Sequence, residues 1–124
     1  MKSSIGFGVI GAGRIGNLHA RHVAGAVDGA HLVAVMDADL NAAQKAAFGG
    51  AKVTQNVQEI FENPDIDAVL IASPTFLHAE QVKAAAKAGK MIFCEKPVDL
   101  DLATTIEAME LVDDLSVPFQ IGFN

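Results

Sequence analysis

The stretch that decides the fold is Gly11-Ala12-Gly13-Arg14-Ile15-Gly16, which has the spacing GxGxxG. It follows directly on the apolar run Ile5 to Ile10 and opens a segment with helical periodicity, Arg14 to Val27. A strand that turns into a helix here needs Gly11 for the tight turn, Gly13 for close approach of a ligand and Gly16 for helix packing. The helix start offers unpaired N–H groups and about half a positive charge to an anion. The context therefore predicts a dinucleotide pyrophosphate site, with a glycine turn that binds nothing as the alternative. Arg14 either adds a charge to this site or is solvated.

The rest of the chain alternates short apolar runs with helical segments, as βαβ units do. In the first helix, Ile15, Leu18, His22 and Ala26 recur at the spacing of one helical face. This rhythm predicts an α/β fold in a single domain over residues 1–124: a doubly wound, mostly parallel six-stranded Rossmann sheet in the order 3-2-1-4-5-6. The predicted strands are Ile5 to Ile10, His31 to Met36, Lys52 to Thr54, Ala68 to Ala72, Met91 to Cys94 and Pro118 to Gly122, and the predicted helices are Arg14 to Val27, Asn41 to Phe48, Val57 to Phe61, Leu77 to Ala88 and Leu102 to Asp113.

Asp37 lies 21 positions after Gly16, at the end of the second predicted strand. An acidic residue at this point accepts hydrogen bonds from the adenosine ribose, and its charge repels a 2′-phosphate. Neither Ala38 nor Leu40 supplies a cation that would favour that phosphate. The sequence therefore favours NAD over NADP. The alternative is that Asp37 caps the next helix, a position that Asp39 is equally placed to fill.

Composition excludes several function classes. The 124-residue chain is 51% hydrophobic, which suffices for a packed core, and its net charge of −6 argues against nucleic acid or an anionic membrane as a partner. The N-terminal Met1-Lys2-Ser3-Ser4 leads into an apolar run far shorter than the roughly 20 residues of a membrane span. The one cysteine, Cys94, indicates a reducing compartment, so we expect a cytoplasmic protein.

Two further segments follow the fourth and fifth predicted strands: Ser73-Pro74-Thr75 with His78, and Glu95-Lys96-Pro97. Because ligands bind outside the carboxyl ends of strands in open α/β sheets, both segments should face the crevice of the glycine loop. The four histidines lie on separate elements, so we expect no metal site. Cys94, in an apolar strand, is expected to be a buried, unreactive thiol.

Together these residues resemble the Gfo/Idh/MocA family of oxidoreductases. The resemblance rests on the glycine loop with His19 after it, on Asp37, on Ala72 to Thr75 with His78, and most specifically on Glu95-Lys96-Pro97. Within the family, the ending Phe119-Gln120-Ile121-Gly122-Phe123-Asn124 is most similar to inositol 2-dehydrogenases, although members with other sugar substrates share similar endings. The resemblance implies NAD as cofactor and hydride transfer between nicotinamide C4 and a carbinol carbon of a polyol or sugar.

The resemblance also implies roles for single residues. Lys96 would be the catalytic residue that contacts and polarises the substrate hydroxyl, Glu95 would help to arrange it, and the Lys96–Pro97 bond would be cis. Taken from the residues alone, Lys96 as a solvated loop lysine remains the alternative. The full set expected to bind the cofactor is Gly11, Gly13, Arg14, Ile15, Gly16, Asp37, Ser73, Pro74, Thr75, His78, Glu95 and Lys96.

Family members carry a second, substrate-binding domain that supplies a catalytic His, often with an Asp nearby. Nothing up to Asn124 matches those residues, so we expect a cofactor domain that binds NAD without turning over a polyol or sugar by itself. One alternative is a non-catalytic NAD-binding or NAD-sensing module. Another is an S-adenosylmethionine or flavin binder, which Glu95-Lys96-Pro97 disfavours. An uncovered apolar surface and a terminal edge strand predict self-association.

Overall fold

A computed structural model describes residues 4–122 of the chain. The predictions for Met1 to Ser3 and for Phe123 and Asn124 lie outside the described residues. The strands are β1 (Ile5–Ile10), β2 (Ala30–Met36), β3 (Lys52–Thr54), β4 (Ala68–Ile71), β5 (Met91–Cys94) and β6 (Phe119–Ile121). The helices are α1 (Arg14–Gly25), α2 (Leu40–Ala46), α3 (Val57–Glu62), α4 (His78–Lys87) and α5 (Leu102–Asp114), with 3₁₀ turns at Phe48–Gly50 and Thr75–Leu77.

The strands form one sheet in the order β3-β2-β1-β4-β5-β6, and every neighbouring pair is parallel. This confirms the predicted order. In a parallel sheet all carboxyl ends lie at the same edge, and the order reverses between β1 and β4. The glycine loop after β1 and the segment after β4 therefore meet at the switch point of the sheet.

Helices cover the sheet on two faces, and β4 contributes to both layers. Val69 and Ile71 belong to the core cluster under α3, α4 and α5, whereas Leu70 belongs to the cluster under α1 and α2. All four residues of β4 are buried. The nearly all-apolar sequence of this strand is what burial on both faces requires.

The packing face predicted for α1 is wrong. Its buried residues are Gly16, Ala20 and Val23, while Ile15 and Leu18 are 42% and 38% exposed. His22 and Ala26 are exposed as well. The cause is the contact at Gly16, where a Cβ would lie only 1.8 Å from the carbonyl oxygen of Gly11. So close an approach turns the small residues toward the sheet and the larger ones outward.

Helix boundaries follow local capping chemistry. Asp39 caps α2 by accepting from the Asn41 amide at 3.0 Å, Asn56 caps α3, and Asp101 caps α5. The helix predicted from Leu77 begins at His78, because the preceding three residues form a 3₁₀ turn. Gly89, with φ of +75°, follows the end of α4.

An apolar groove of about 670 Å³ lies beside α1. It is on the same face of the sheet as α1 and α2, over β4, β5 and β6, which these two helices do not cover. The groove is lined by Phe7, Leu70, Met91, Phe93 and Phe119, by Val23 and the two histidines of α1, and by Val27 just after that helix. It lies away from the glycine loop. No helix in the described part of the chain is long and apolar enough to cross a membrane.

Candidate functional site

The glycine loop closes tightly over the end of β1. Gly11 has φ of +96°, and a Cβ there would lie 2.6 Å from the carbonyl carbon of Ala72. At Gly13, by contrast, a Cβ would meet no atom within 4 Å. Gly11 and Gly16 thus serve the turn and the packing, and Gly13 leaves the backbone open on its outer side. The structure agrees with the predicted parts of Gly11 in the turn and Gly16 in the packing, whereas ligand approach at Gly13 stays a prediction.

The first turn of α1 keeps its amides available. Gly13 is the N-cap residue, no side chain caps the helix, and no acidic residue lies in the first turn. Uncapped N–H groups at the start of a 12-residue helix attract an anion through hydrogen bonds and through the helix dipole. Arg14 and Ile15 lie exposed on this same turn.

Asp37 joins the end of β2 to the glycine loop. One carboxylate oxygen accepts from the amide of Ala12 at 2.7 Å, and the other accepts from the amide of Asp39 at 2.8 Å. Because Asp39 caps α2, the alternative role of Asp37 as that helix cap is wrong. Each carboxylate oxygen keeps a second lone pair. Asp37 therefore anchors the loop and still has acceptor capacity for a ligand hydroxyl.

A cavity of about 540 Å³ runs along the switch point. Five predicted cofactor-binding residues line it, and the other seven do not. The lining consists of the predicted residues Gly11, Gly13, Asp37, Ser73 and Pro74, joined by Met36, Ala38, Ala72, Phe76, Leu77 and Gln81. Phe76 and Gln81 were not predicted as site residues, although both lie within eight positions of the Ser73-Pro74-Thr75 motif.

His78 lies beneath the cavity rather than in its lining. It is 2% exposed, and its Nε2 and Nδ1 lie 2.6 Å from the Ser73 carbonyl oxygen and 2.8 Å from that of Pro97. It thus links the turn after β4 to the turn after β5. A second bond, from the Ser73 hydroxyl to the Gln81 side-chain oxygen, fixes the same loop. His78 was predicted to bind the cofactor, but its position is that of a buried residue that supports the loop.

The Glu95-Lys96-Pro97 turn lies at the end of β5. Lys96 is exposed, and the Lys96–Pro97 bond is cis, as the resemblance implied. Among residues 4–122 the ion-pair partner of Glu95 is His19 of α1, not Lys96. The His19 ring also packs edge-on against Phe93, with centroids 5.6 Å apart. His19 therefore connects α1 to this turn. This contact is tertiary, so no local sequence pattern predicts it.

Cys94 is buried, and burial together with the neighbouring Glu95 raises the pKa of its thiol to about 12. The predicted burial of Cys94 is confirmed, and the raised pKa disfavours the thiolate, which is the reactive form. Within the described residues, no group of three or more His, Cys, Asp or Glu side chains is arranged to hold a metal ion.

The residues present fit a dinucleotide. Gly13 offers open backbone and the first turn of α1, beside the cavity, offers uncapped amides for a pyrophosphate, while Asp37 in the cavity lining offers a carboxylate with spare lone pairs for a ribose. A carboxylate at this place disfavours a 2′-phosphate on electrostatic grounds. The groups that line this site therefore suit NAD better than NADP.

Comparison with known proteins agrees with this geometry. Residues 5–123 match the family described as "Oxidoreductase family, NAD-binding Rossmann fold", GFO_IDH_MocA. The chain is 43% identical over 121 residues to an inositol 2-dehydrogenase of Rhizobium meliloti (strain 1021), covering 98% of this chain and 36% of that protein. It is 38% identical over 125 residues to a scyllo-inositol 2-dehydrogenase (NAD(+)) of Bacillus subtilis (strain 168), covering 99% of this chain and 36% of that one.

Among solved structures, scyllo-inositol dehydrogenase from Lactobacillus casei with bound NAD(H) and scyllo-inositol superposes with a TM-score of 0.91 at 31% identity. That alignment covers 96% of this chain and 36% of the other. The chain thus spans 36% of the length of each of these three relatives. Since the family match extends over nearly all of its residues, the chain belongs to the Gfo/Idh/MocA oxidoreductases and is an NAD-binding Rossmann domain of that family.

Proposed function

We propose that residues 1–124 bind NAD along the cavity at the switch point and form the cofactor-binding part of a polyol dehydrogenase of the inositol 2-dehydrogenase type. The observation that carries this proposal is the meeting of Gly13, Asp37 and Ser73 in one cavity of about 540 Å³. The first turn of α1 holds the pyrophosphate, and Asp37 accepts from the adenosine ribose. The similarity to inositol dehydrogenases supports the substrate class.

Each remaining site residue has a proposed part in this function. When bound, NAD supplies the hydride acceptor of the reaction. Lys96, exposed after β5, contacts and positions the substrate hydroxyl, while Glu95, held by His19, fixes the turn from which Lys96 extends. Ser73, Pro74 and Thr75 line the path toward the nicotinamide, and His78 holds that loop from below.

The chain alone should bind the cofactor without turning over a polyol. This proposal follows from the family resemblance, which implies that the general base and most substrate-binding residues lie in a second domain, outside the 36% of the relatives that this chain spans. Isothermal titration with NAD and with NADP tests the binding, and NADH absorbance in the presence of myo-inositol tests the turnover. We expect heat with NAD, weaker binding of NADP and no NADH. Absence of both heat and thermal shift with either dinucleotide would sink the proposal.

We propose a second copy of the chain as a further partner. The apolar groove is continuous with β6, an edge strand of the sheet that contributes Phe119 and Gln120 to the lining, and Pro118, just before β6, lines it as well. An apolar sheet face next to an unpaired strand edge favours association with a like surface.

A further inference from the structure

The cavity at the switch point is lined by groups of three kinds. The backbone of Gly11 and Gly13 suits an anion, and Asp37 supplies an acceptor for hydroxyl groups. Apolar side chains form much of the remaining lining, among them Met36, Ala38 and Phe76. These three kinds of group match the pyrophosphate, the ribose and the base of an adenosine diphosphate, and the apolar side chains suit the flat adenine ring.

Phe76 is the unusual residue among these apolar side chains. It is 77% exposed, although a phenyl ring gains free energy when it is removed from water. It lies on the 3₁₀ turn after β4, whereas Met36 and Ala38 lie at the end of β2. Because β1 and its glycine loop lie between β2 and β4, these residues belong to opposite walls of the cavity.

The turn that carries Phe76 is fixed on both sides. The amide of Leu77 donates to the Pro74 carbonyl at 2.9 Å, and the buried His78 contacts the Ser73 carbonyl. The backbone under Phe76 is thus held in place while its ring remains uncovered. An exposed aromatic ring on a fixed turn, beside the other apolar side chains of the cavity, can receive a planar ligand while the backbone needs little further ordering.

We propose that Phe76 stacks on the adenine ring and provides a major part of the affinity for the adenosine half of the cofactor. This inference rests on the proposed NAD binding. Since stacking acts through the face of the ring, it contributes equally to NAD, ADP-ribose and ADP. It contributes nothing to nicotinamide mononucleotide, which has no adenine.

Fluorescence tests the stacking directly, because the chain contains neither Trp nor Tyr. In Phe76→Trp the new side chain is the single tryptophan, and we expect NAD and ADP-ribose to quench its emission while nicotinamide mononucleotide leaves it unchanged. The matched control is Leu115→Trp, at the end of α5 and hence at the opposite edge of the sheet, whose emission should not respond. Equal quenching of the Phe76→Trp variant by nicotinamide mononucleotide would overturn the proposal.

Affinity provides the second measurement. Phe76→Ala should weaken ADP-ribose and NAD binding by about 5- to 100-fold, the range seen when stacked aromatic residues are truncated, and Phe76→Tyr should restore it. The unfolding temperature should change by no more than about 2 °C, because the ring is exposed. If the wild type binds NAD and Phe76→Ala binds it equally well, the stacking proposal fails and the NAD proposal stands. If the wild type binds no dinucleotide, both fail.

Discussion

At the scale of single residues, Asp37 has two tasks that mutagenesis must separate. Its carboxylate holds the Ala12 amide at 2.7 Å and also faces the cavity where a ribose would lie. A hydrogen bond to a charged group contributes about 1.5–3 kcal/mol, so losing it affects the loop as well as the ligand. Substitution at Asp37 therefore changes the shape of the pyrophosphate site, whichever dinucleotide is offered.

We predict that Asp37→Ala weakens the binding of NAD and of NADP together, because the glycine loop loses its anchor.

Asp37→Ser combined with Ala38→Arg should raise the affinity for NADP relative to NAD, since the repelling charge is gone and a cation is added. Titration calorimetry of both variants with both dinucleotides measures this. Asp39→Ala is the matched control: it should cost about 1 kcal/mol of stability through the lost cap of α2 and leave the NAD affinity unchanged. An unchanged ratio of the two affinities in the double variant would remove Asp37 from the ribose role.

At the scale of elements, the sequence predicts the type and order of strands and helices because their periodicities are local. The 3₁₀ turn at Thr75–Leu77 and the rotation of α1 were missed for a common reason. Both depend on contacts that hydrophobic periodicity does not encode, namely the close approach of Gly16 to the Gly11 carbonyl and the bonds of His78 to two loops. The pairing of His19 with Glu95, 76 positions apart, belongs to the same class. Motifs locate a site, but the contacts that support it are tertiary.

The start of α5 provides a pH-dependent test of a single element. Asp101 accepts from the amide of Thr104 at 2.9 Å and from its hydroxyl at 2.7 Å, and these two bonds lower the pKa of Asp101. A carboxyl group with a lowered pKa in the folded state stabilises the fold above its unfolded pKa. That contribution is lost as the pH falls through the folded value.

We therefore predict that the wild type loses more of its unfolding temperature between pH 7 and pH 3 than Asp101→Asn does. The amide of Asn still accepts from Thr104, but it does not titrate in this range. Thermal unfolding followed by circular dichroism at several pH values measures the difference. The control variant is Glu107→Gln. Glu107 is also an exposed acid with a lowered pKa, but the cause is Lys83 and not the start of a helix. Parallel pH profiles for wild type and Asp101→Asn would contradict the prediction.

At the scale of the whole molecule, the two faces of the sheet are unequally covered. On one face α3, α4 and α5 bury Ile92 and Cys94 of β5, while on the other Met91 and Phe93 remain half-buried in the groove. A strand with apolar residues on both faces is typical of a sheet covered on both sides. The net charge of −6 opposes the approach of a second copy, so two opposing forces set the oligomeric state.

We predict a concentration-dependent dimer that forms through the groove and that salt strengthens, because added ions screen the repulsion between like-charged copies while apolar contact persists. Light scattering over a range of protein and salt concentrations measures the mass. Ile5→Lys and Val27→Asp place charges on groove residues that are 37% and 50% exposed, and each should shift the chain to monomer without unfolding it. Leu102→Asp, 74% exposed and outside the groove, should leave the dimer intact. The wild type must not remain monomeric at every concentration, since the groove would then not be a contact between copies. Equal loss of dimer in Leu102→Asp would also refute the groove as the contact, because only charge placed in the groove itself disrupts apolar contact there.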